Sequence, residues 1–422
     1  MQNLFRSSMV RNAGKLLTAN VVAQTIGLLV YPVLTRMYVP EDFALLSLFV
    51  SIAGVLSLLA TAEYQYAIVL PKTDEDASAI THVCLFLLAA MTLLLCLSLP
   101  FCESIGAAFN APGLARFWWM MPLAVLGLGV WNILNYWYIR RCAFMRISGY
   151  QISQSVLSAA GKIGLGMLAV WPGGMIVATV FAPLLSLVAS GVLAWKKHLR
   201  VLLHPHVADM RSMAREYANF PKFNLPRSLV NSIGLALPVW LLTPRFGLAE
   251  VGQLSLAITA AFVPLSIIAR ACYQVLYQHV AVLVREQRSI RSVLWKFSLW
   301  MGGGVIAGLA IIYFVLPQLV TWLFGAEWLE AADVIKALYP YIVLTPVCGA
   351  ICFLSDVFAK QRTAMWMEVA YVAATAAALL LGSRSGSFIT AVSAFAWVRF
   401  AYLAIQLVWF AGLARTYNRT LS

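Results

Sequence analysis

The chain has 422 residues, of which 62% are hydrophobic and 11% charged, with a formal net charge of +14 and a mean hydropathy of +0.84. A water-soluble protein of this length would need far more charge to cover its surface, so a soluble enzyme or binding domain is excluded. Nucleic-acid recognition is excluded as well, since it wants a basic face with base-stacking aromatics on a soluble fold.

Apolar stretches of about 20 residues, each able to cross ~30 Å of hydrocarbon as a helix, recur from end to end. They predict about 12 spans, near 12–35, 43–69, 78–101, 115–139, 149–171, 174–195, 218–243, 250–283, 293–317, 331–358, 363–382 and 387–413. The first follows a basic head of Arg6, Arg11 and Lys15, as a signal peptide would. Tyr31-Pro32 and Thr35-Arg36 stand where a small-residue cleavage site is needed, so an uncleaved first span is expected. Only Trp171-Pro172-Gly173-Gly174 separates the fifth span from the sixth, and one long kinked helix there would leave an odd count. The longest polar stretch, 196–217, carries Lys196, Lys197, Arg200, Arg211 and Arg215. It reads as a cytoplasmic linker between an N-terminal six-helix lobe (1–195) and a C-terminal six-helix lobe (218–422). His204-Pro205-His206 within it lacks the Cys or carboxylate neighbours of a metal site and reads as plain loop. The seven cysteines form no CxxC pair and read as free thiols within spans. No metal and no cofactor are expected.

Charge placement sets the orientation. The N-terminus, every second loop and the C-terminus carry most of the Lys and Arg, including Lys72, Arg140, Arg141, Arg146, Arg285, Arg288, Arg291, Lys360, Arg362, Arg415 and Arg419. The opposite loops carry Arg36, Arg116, Arg245, Lys336 and Arg384. Positive loops stay inside, so both termini are expected in the cytoplasm, and much of the net charge serves topology and attraction to anionic lipid.

A repeat runs through the sequence. Ile26-Gly27-Leu28 with Leu34-Thr35 returns half a chain length later as Ile233-Gly234-Leu235 with Leu242-Thr243. Asp42 and Leu46-Ser47-Leu48 return as Glu250 and Leu254-Ser255-Leu256, and Tyr64-Gln65 returns as Tyr273-Gln274. Two similar halves are typical of transporters, and an even number of spans per half gives parallel repeats about an axis along the membrane normal. The expected fold class is therefore an all-α polytopic membrane protein, with about 12 transmembrane helices in two parallel six-helix lobes around a central cavity.

Ionisable residues within spans mark the candidate site. Lys162, Arg227, Arg270 and Arg399 fall near mid-depth, and Glu63, Asp356 and Glu368 in the cytoplasmic third. A charge at the bilayer centre costs about 2.5–3.5 kcal/mol on insertion scales, so it faces protein interior or a wet cavity. Structural pairing, for instance Glu368 with Arg399, is the plain alternative. Four mid-depth cations without a mid-depth acid favour an anionic cargo, and the planar fork of Arg suits phosphate. Trp131, Asn132, Asn135 and Trp137 on the fourth span offer stacking faces and amides for sugar, or else form an interfacial aromatic belt. Glu63 first, then Asp356 and Glu368, are the candidates for coupling to an ion gradient.

Leu34-Thr35-Arg36-Met37-Tyr38 with Pro40-Glu41-Asp42-Phe43 resembles the first loop of bacterial polysaccharide-biosynthesis flippases. So do Glu63-Tyr64-Gln65-Tyr66-Ala67-Ile68-Val69-Leu70-Pro71, Phe220-Pro221-Lys222-Phe223 and Leu323-Phe324-Gly325-Ala326-Glu327-Trp328. These flippases form the oligosaccharide branch of the multidrug/oligosaccharidyl-lipid/polysaccharide exporter superfamily. The resemblance implies two lobes of six helices around a central cavity, and an undecaprenyl-diphosphate-linked oligosaccharide moved from the inner to the outer leaflet. It implies a place in the cell inner membrane, with the polymerase and chain-length proteins of the same pathway as candidate partners. The related lipid II flippases carry cavity arginines on the first, second and eighth helices; Arg270 suits the last of these, Arg36 fits the first less well, and the second offers only Glu63.

Alternating access is the expected mechanism, with Pro32, Pro226, Pro238, Pro264 and Gly302-Gly303-Gly304 as candidate bending points. Two other classes are weighed. A cation-coupled drug exporter of the same superfamily would want acids in place of these bases. A polytopic enzyme of glycan assembly would want chemistry on a sizeable outer loop; every outer loop is short, and no Walker loop or catalytic triad is present.

Overall fold

In the computed structural model, residues 19–168, 173–194 and 207–419 are described. The basic head, Trp171-Pro172, Lys196, Lys197, Arg200 and His204-Pro205-His206 lie outside them. Ten helices among the described residues are long and apolar enough to cross a membrane. Helix α1 (Ala19–Leu34) and the 24-residue α7 (Phe144–Met167) bring the spans to twelve. The protein is an all-α, multi-pass membrane protein.

In chain order α1 is followed by α2 (Pro40–Thr61), α3 (Asp74–Leu97), two short helices α4 (Cys102–Ala108) and α5 (Pro112–Phe117), and α6 (Met121–Arg140). After α7 come α8 (Gly174–Ala194), the polar α9 (Val207–Glu216) and α10 (Leu225–Phe246). The rest is α11 (Leu248–Arg285), α12 (Arg291–Phe324), α13 (Leu329–Ala337), α14 (Tyr339–Ile351), α15 (Leu354–Val357), α16 (Gln361–Gly382) and α17 (Phe388–Arg419). The fifth and sixth spans are two helices, so the count is even. They pack on each other closely: a methyl group on Gly161 would lie 3.0 Å from Cβ of Ala178, the small-on-small contact that membrane helices use.

Local chemistry explains the starts and stops. Helix α2 opens with Pro40 in its first turn beside Glu41 and Asp42, where a missing N–H costs nothing and acids meet the positive helix end. It ends because Ala62 and Glu63 turn left-handed, at φ 47° and 63°. The sequence reading carried this span to residue 69; residues 64–69 instead form a 3₁₀ turn, which places Glu63 beyond the helix. The Thr73 hydroxyl accepts the N–H of Asp76 at 3.2 Å and starts α3. The stretch 331–358, expected as one span, is three helices, because Pro340 begins α14 and cannot continue α13.

The chain divides into two compact units, Met1–Ala236 and Leu237–Ser422. The boundary falls inside α10, because α9 packs on α3 and the π-helical turn Phe220–Asn224 on the turn at 64–69. The repeated motifs show similar local features. Leu48 on α2 and Leu256 on α11 are both buried, as are Thr35 and Thr243. Each threonine hydroxyl donates to a carbonyl about one turn back, Pro32 at 3.2 Å and Val239 at 2.6 Å. The halves then part: α2 stops at Thr61, while α11 continues without a break through Pro264 to Arg285.

Candidate functional site

Within the first unit, α1, α6 and α7 line an open cavity of about 460 Å³. Helix α7 supplies Gln151, Gln154, Ser155, Ser158 and Lys162, spaced so that one face of the helix is polar. That face leaves α7 less apolar than the other spans. Helix α1 adds Asn20 and Gln24, and α6 adds Trp131. Neighbouring contacts fix the walls. Ser155 Oγ donates to the Ala23 carbonyl at 2.7 Å, tying α7 to α1. Tyr38 Oη donates to the carbonyl of Lys162 at 2.7 Å. The Trp131 ring lies flat on Tyr150, with centroids 3.4 Å apart and planes 11° apart.

The electrostatics of this cavity are one-sided. Lys162 forms no ion pair among the described residues, and no carboxylate lines the space. Gln151 Oε1 is buried and accepts no hydrogen bond from the described residues. An unpaired cation and, about 16 Å away along the same helix, an amide acceptor without a bond suit an extended ligand that carries both anionic oxygens and hydroxyl donors.

A second cluster sits where α2 breaks. Glu63 is only 1% exposed; the Ser228 hydroxyl donates to its carboxyl, while Oε1 has no partner. Burial raises the Glu63 pKa above the ordinary carboxylate range, and the Ser228 bond opposes that rise. Tyr66, packed edge-on against Tyr136 with centroids 4.8 Å apart, feels both Glu63 and Arg227. Arg227 is exposed near the start of α10. Nearby, Arg140 clamps the turn before α3 by donating to the carbonyls of Pro71 and Thr73, each at 2.7 Å. It also pairs with Asp74 at 3.2 Å.

In the second unit Arg399 on α17 is enclosed by aromatic rings. Its guanidinium carbon lies 5.2 Å from the Tyr341 ring, 4.4 Å from Tyr371 and 5.3 Å from Tyr402. Tyr402 lies within electrostatic range of both Arg399 and Glu368. Lys162 and Arg399 thus sit in different units, each surrounded by its own unit's residues. Arg270 is exposed on α11, and Arg36 is exposed in the turn after α1. Asp356 is exposed on α15, near Tyr273 and Cys352.

The aromatic and amide residues of α6 divide. Trp131 reaches the cavity, whereas Trp137 is fully buried with Arg141 over its ring at 5.3 Å, and offers no free face for sugar. Asn132 and Asn135 are half-buried and outside the cavity lining. Sequence reasoning missed Asn20, Gln24, Gln151, Gln154, Ser155 and Ser158, though their helical spacing was there to be read.

Comparison with known proteins agrees with this architecture. The fold is similar to the lipid II flippase MurJ in an inward closed conformation, with a TM-score of 0.72 at 10% identity over 98% of this chain and 91% of that one. It is also similar to an inward-facing multidrug resistance MATE family transporter of the MOP superfamily, with a TM-score of 0.67 at 14% identity over 96% of both chains. A MOP superfamily transporter from Pyrococcus furiosus, described as having a binding pocket of reverse polarity, matches with a TM-score of 0.60 at 13% identity over 97% of this chain and 96% of that one. In sequence, the succinoglycan biosynthesis transport protein ExoT of Rhizobium meliloti (strain 1021) is 22% identical over 365 residues, 86% of this chain and 72% of ExoT. The family model for polysaccharide biosynthesis proteins matches residues 9–277, and the chain belongs to that family, as a membrane transporter.

Proposed function

We propose that the protein is a flippase that carries a polyprenyl-diphosphate-linked oligosaccharide from the cytoplasmic to the outer leaflet of the inner membrane by alternating access. Both termini lie in the cytoplasm on this reading, as the distribution of Lys and Arg favours. The observation that carries it is the Lys162 cavity, with its cation, amides, hydroxyls and aromatic wall and no acid. Anionic oxygens of the cargo meet Lys162, and sugar hydroxyls meet Gln151, Gln154 and Ser158. The exposed Arg270 and Arg227 are further contacts for the diphosphate, where a bidentate fork suits phosphate better than an ammonium does. The lipid tail stays in the bilayer, and the cations offset part of the cost of moving a diphosphate through low dielectric. Glu63 is the proposed coupling group, because a buried carboxyl with a raised pKa can bind and release a proton as its surroundings change.

A cation-coupled drug exporter would want a carboxylate in this cavity, and the lining has none. The test is transport in proteoliposomes loaded with a lipid-linked oligosaccharide, reading how much sugar becomes accessible from the opposite face. Wild type should accelerate that exposure over protein-free vesicles, and should do so faster under an imposed proton gradient. No acceleration with the lipid-linked sugar, together with export of a cationic drug, would replace this reading with the drug exporter.

A further inference from the structure

The second unit carries a separate groove of about 390 Å³ where α12, α14, α15 and α17 meet. Its floor is the unit's apolar core: Leu294, Ile351, Leu354 and Phe410 are each less than 8% exposed. Its rim is cationic, with Arg291 at the start of α12 and Arg415 near the end of α17. Both are exposed, and neither forms an ion pair among the described residues. Ser289, Ser292 and Ser298 add hydroxyls, and the Trp295 indole is 64% exposed. Two contacts hold the wall in place: the Asn418 side-chain carbonyl accepts the Ile290 N–H at 3.3 Å, and Tyr417 Oη donates to the Val284 carbonyl at 3.2 Å.

Sequence places this groove near the membrane surface. The apolar run of α12 begins near residue 293, directly after Arg291 at the start of the helix. That basic end lies at the headgroup region, where an indole is also at home. The first turn of α12 has no side-chain cap, and its free N–H groups add positive potential to that of the two arginines.

We propose that this groove holds one anionic diacyl phospholipid, with its phosphate between Arg291 and Arg415 and the upper part of an acyl chain on the apolar floor. Charge complementarity selects the occupant. Two unpaired cations over an apolar floor match a molecule that joins an anionic head to a hydrocarbon tail. A free phosphate would leave the floor uncovered, and a zwitterionic lipid would leave net charge unmatched. The site is independent of the Lys162 cavity, which belongs to the other unit.

The test is native mass spectrometry of the full chain, released from detergent after incubation with vesicles of phosphatidylglycerol or of phosphatidylcholine. Wild type should retain one phosphatidylglycerol in preference to phosphatidylcholine. The double variant Arg291→Gln/Arg415→Gln should lose that retention by about thirtyfold, as expected for two cations at a lipid surface. Ala411→Trp fills the groove, which Ala411 lines, yet keeps both charges; it should lose the lipid too. Arg384→Gln, an exposed cation elsewhere, should behave as wild type. Equal retention of phosphatidylcholine, full retention in either groove variant, or displacement of the lipid by inorganic phosphate alone would overturn the proposal.

Discussion

Lys162 and Arg399 are both cations inside membrane helices, and the two units treat them differently. Around Arg399 three tyrosine rings lie within 5.3 Å of the guanidinium, so the ring faces supply the negative potential that water would otherwise give. Around Lys162 the first unit leaves a cavity of amides and hydroxyls, and the ammonium keeps room for something else. Each solution offsets a burial cost of about 2.5–3.5 kcal/mol, but only one leaves a charge that a ligand can reach. A charge within a span does not by itself name a binding residue; what surrounds each one suggests its role.

The largest expected effect tests that difference directly. Replacing Lys162 by Ala removes the only charge that the described residues place in the cavity lining, and a hydrogen bond to a charged group is worth about 1.5–3 kcal/mol. Surface polysaccharide made by a strain relying on this protein should fall roughly 10- to 100-fold, at an unchanged membrane protein level on an immunoblot. Wild-type polysaccharide in the Lys162→Ala strain would remove the cavity from the transport pathway.

Arg399 should give the opposite pattern. Arg399→Leu loses three ring contacts and should lower thermal stability in detergent by about 2 kcal/mol, while transport per folded molecule stays within about twofold. Arg399→Lys should recover part of the stability, since an ammonium also sits well over a ring. A transport defect in a fully stable Arg399 variant would mean that the tyrosine cage opens to cargo.

The spans were legible because hydrocarbon thickness and core packing impose regular patterns. Leu48 and Leu256, each closing a copy of the repeated Leu-Ser-Leu motif, are both buried. The ends of helices were harder to read. Nothing in the apolar run 43–69 says that Ala62 and Glu63 turn left-handed, because that turn is stabilised by tertiary contacts, such as the Ser228 hydroxyl that comes from α10. Lys162 stood out as a charge within a span. Its partners did not, because Gln and Ser in a membrane helix look like dilution of an apolar signal until their shared face is drawn. For Arg399 the sequence offered Glu368 as a partner, whereas the rings of Tyr341 and Tyr371 come from α14 and α16 to join Tyr402, one turn along α17. The convergence of the first two leaves no local trace.

Glu63 sharpens the comparison with an acid in place of a base. Its folded pKa is raised by burial, so the folded protein holds this proton more tightly than the unfolded chain does. The stability it contributes is full below the ordinary Glu value of about 4.3 and is lost as pH rises through the higher folded value. The melting temperature in detergent should therefore fall between pH 5 and 8 by more in wild type than in Glu63→Gln. In proteoliposomes the same variant should lose the response to a proton gradient while keeping gradient-free exchange. Parallel melting curves for the two proteins would show that Glu63 does not titrate in this window.

The smallest effect concerns two tryptophans six residues apart on α6. Trp131 lies on Tyr150 and forms part of the cavity wall; Trp137 is fully buried in the core of the first unit. A stacked aromatic pair is worth about 0.5–1.5 kcal/mol beyond its burial. If Trp131 also presents an edge to sugar, Trp131→Ala should lower transport by about two- to tenfold. Trp137→Ala should instead cost about 3–5 kcal/mol of stability, as large-to-small changes in a packed core do, and should reduce protein level before any change in transport per molecule. The comparison uses the same substitution on the same helix, so composition and insertion are closely matched between the variants. Equal loss of protein in both would mean that Trp131 is only packing for Tyr150, and the cavity would then recognise its ligand through Lys162 and the amides alone.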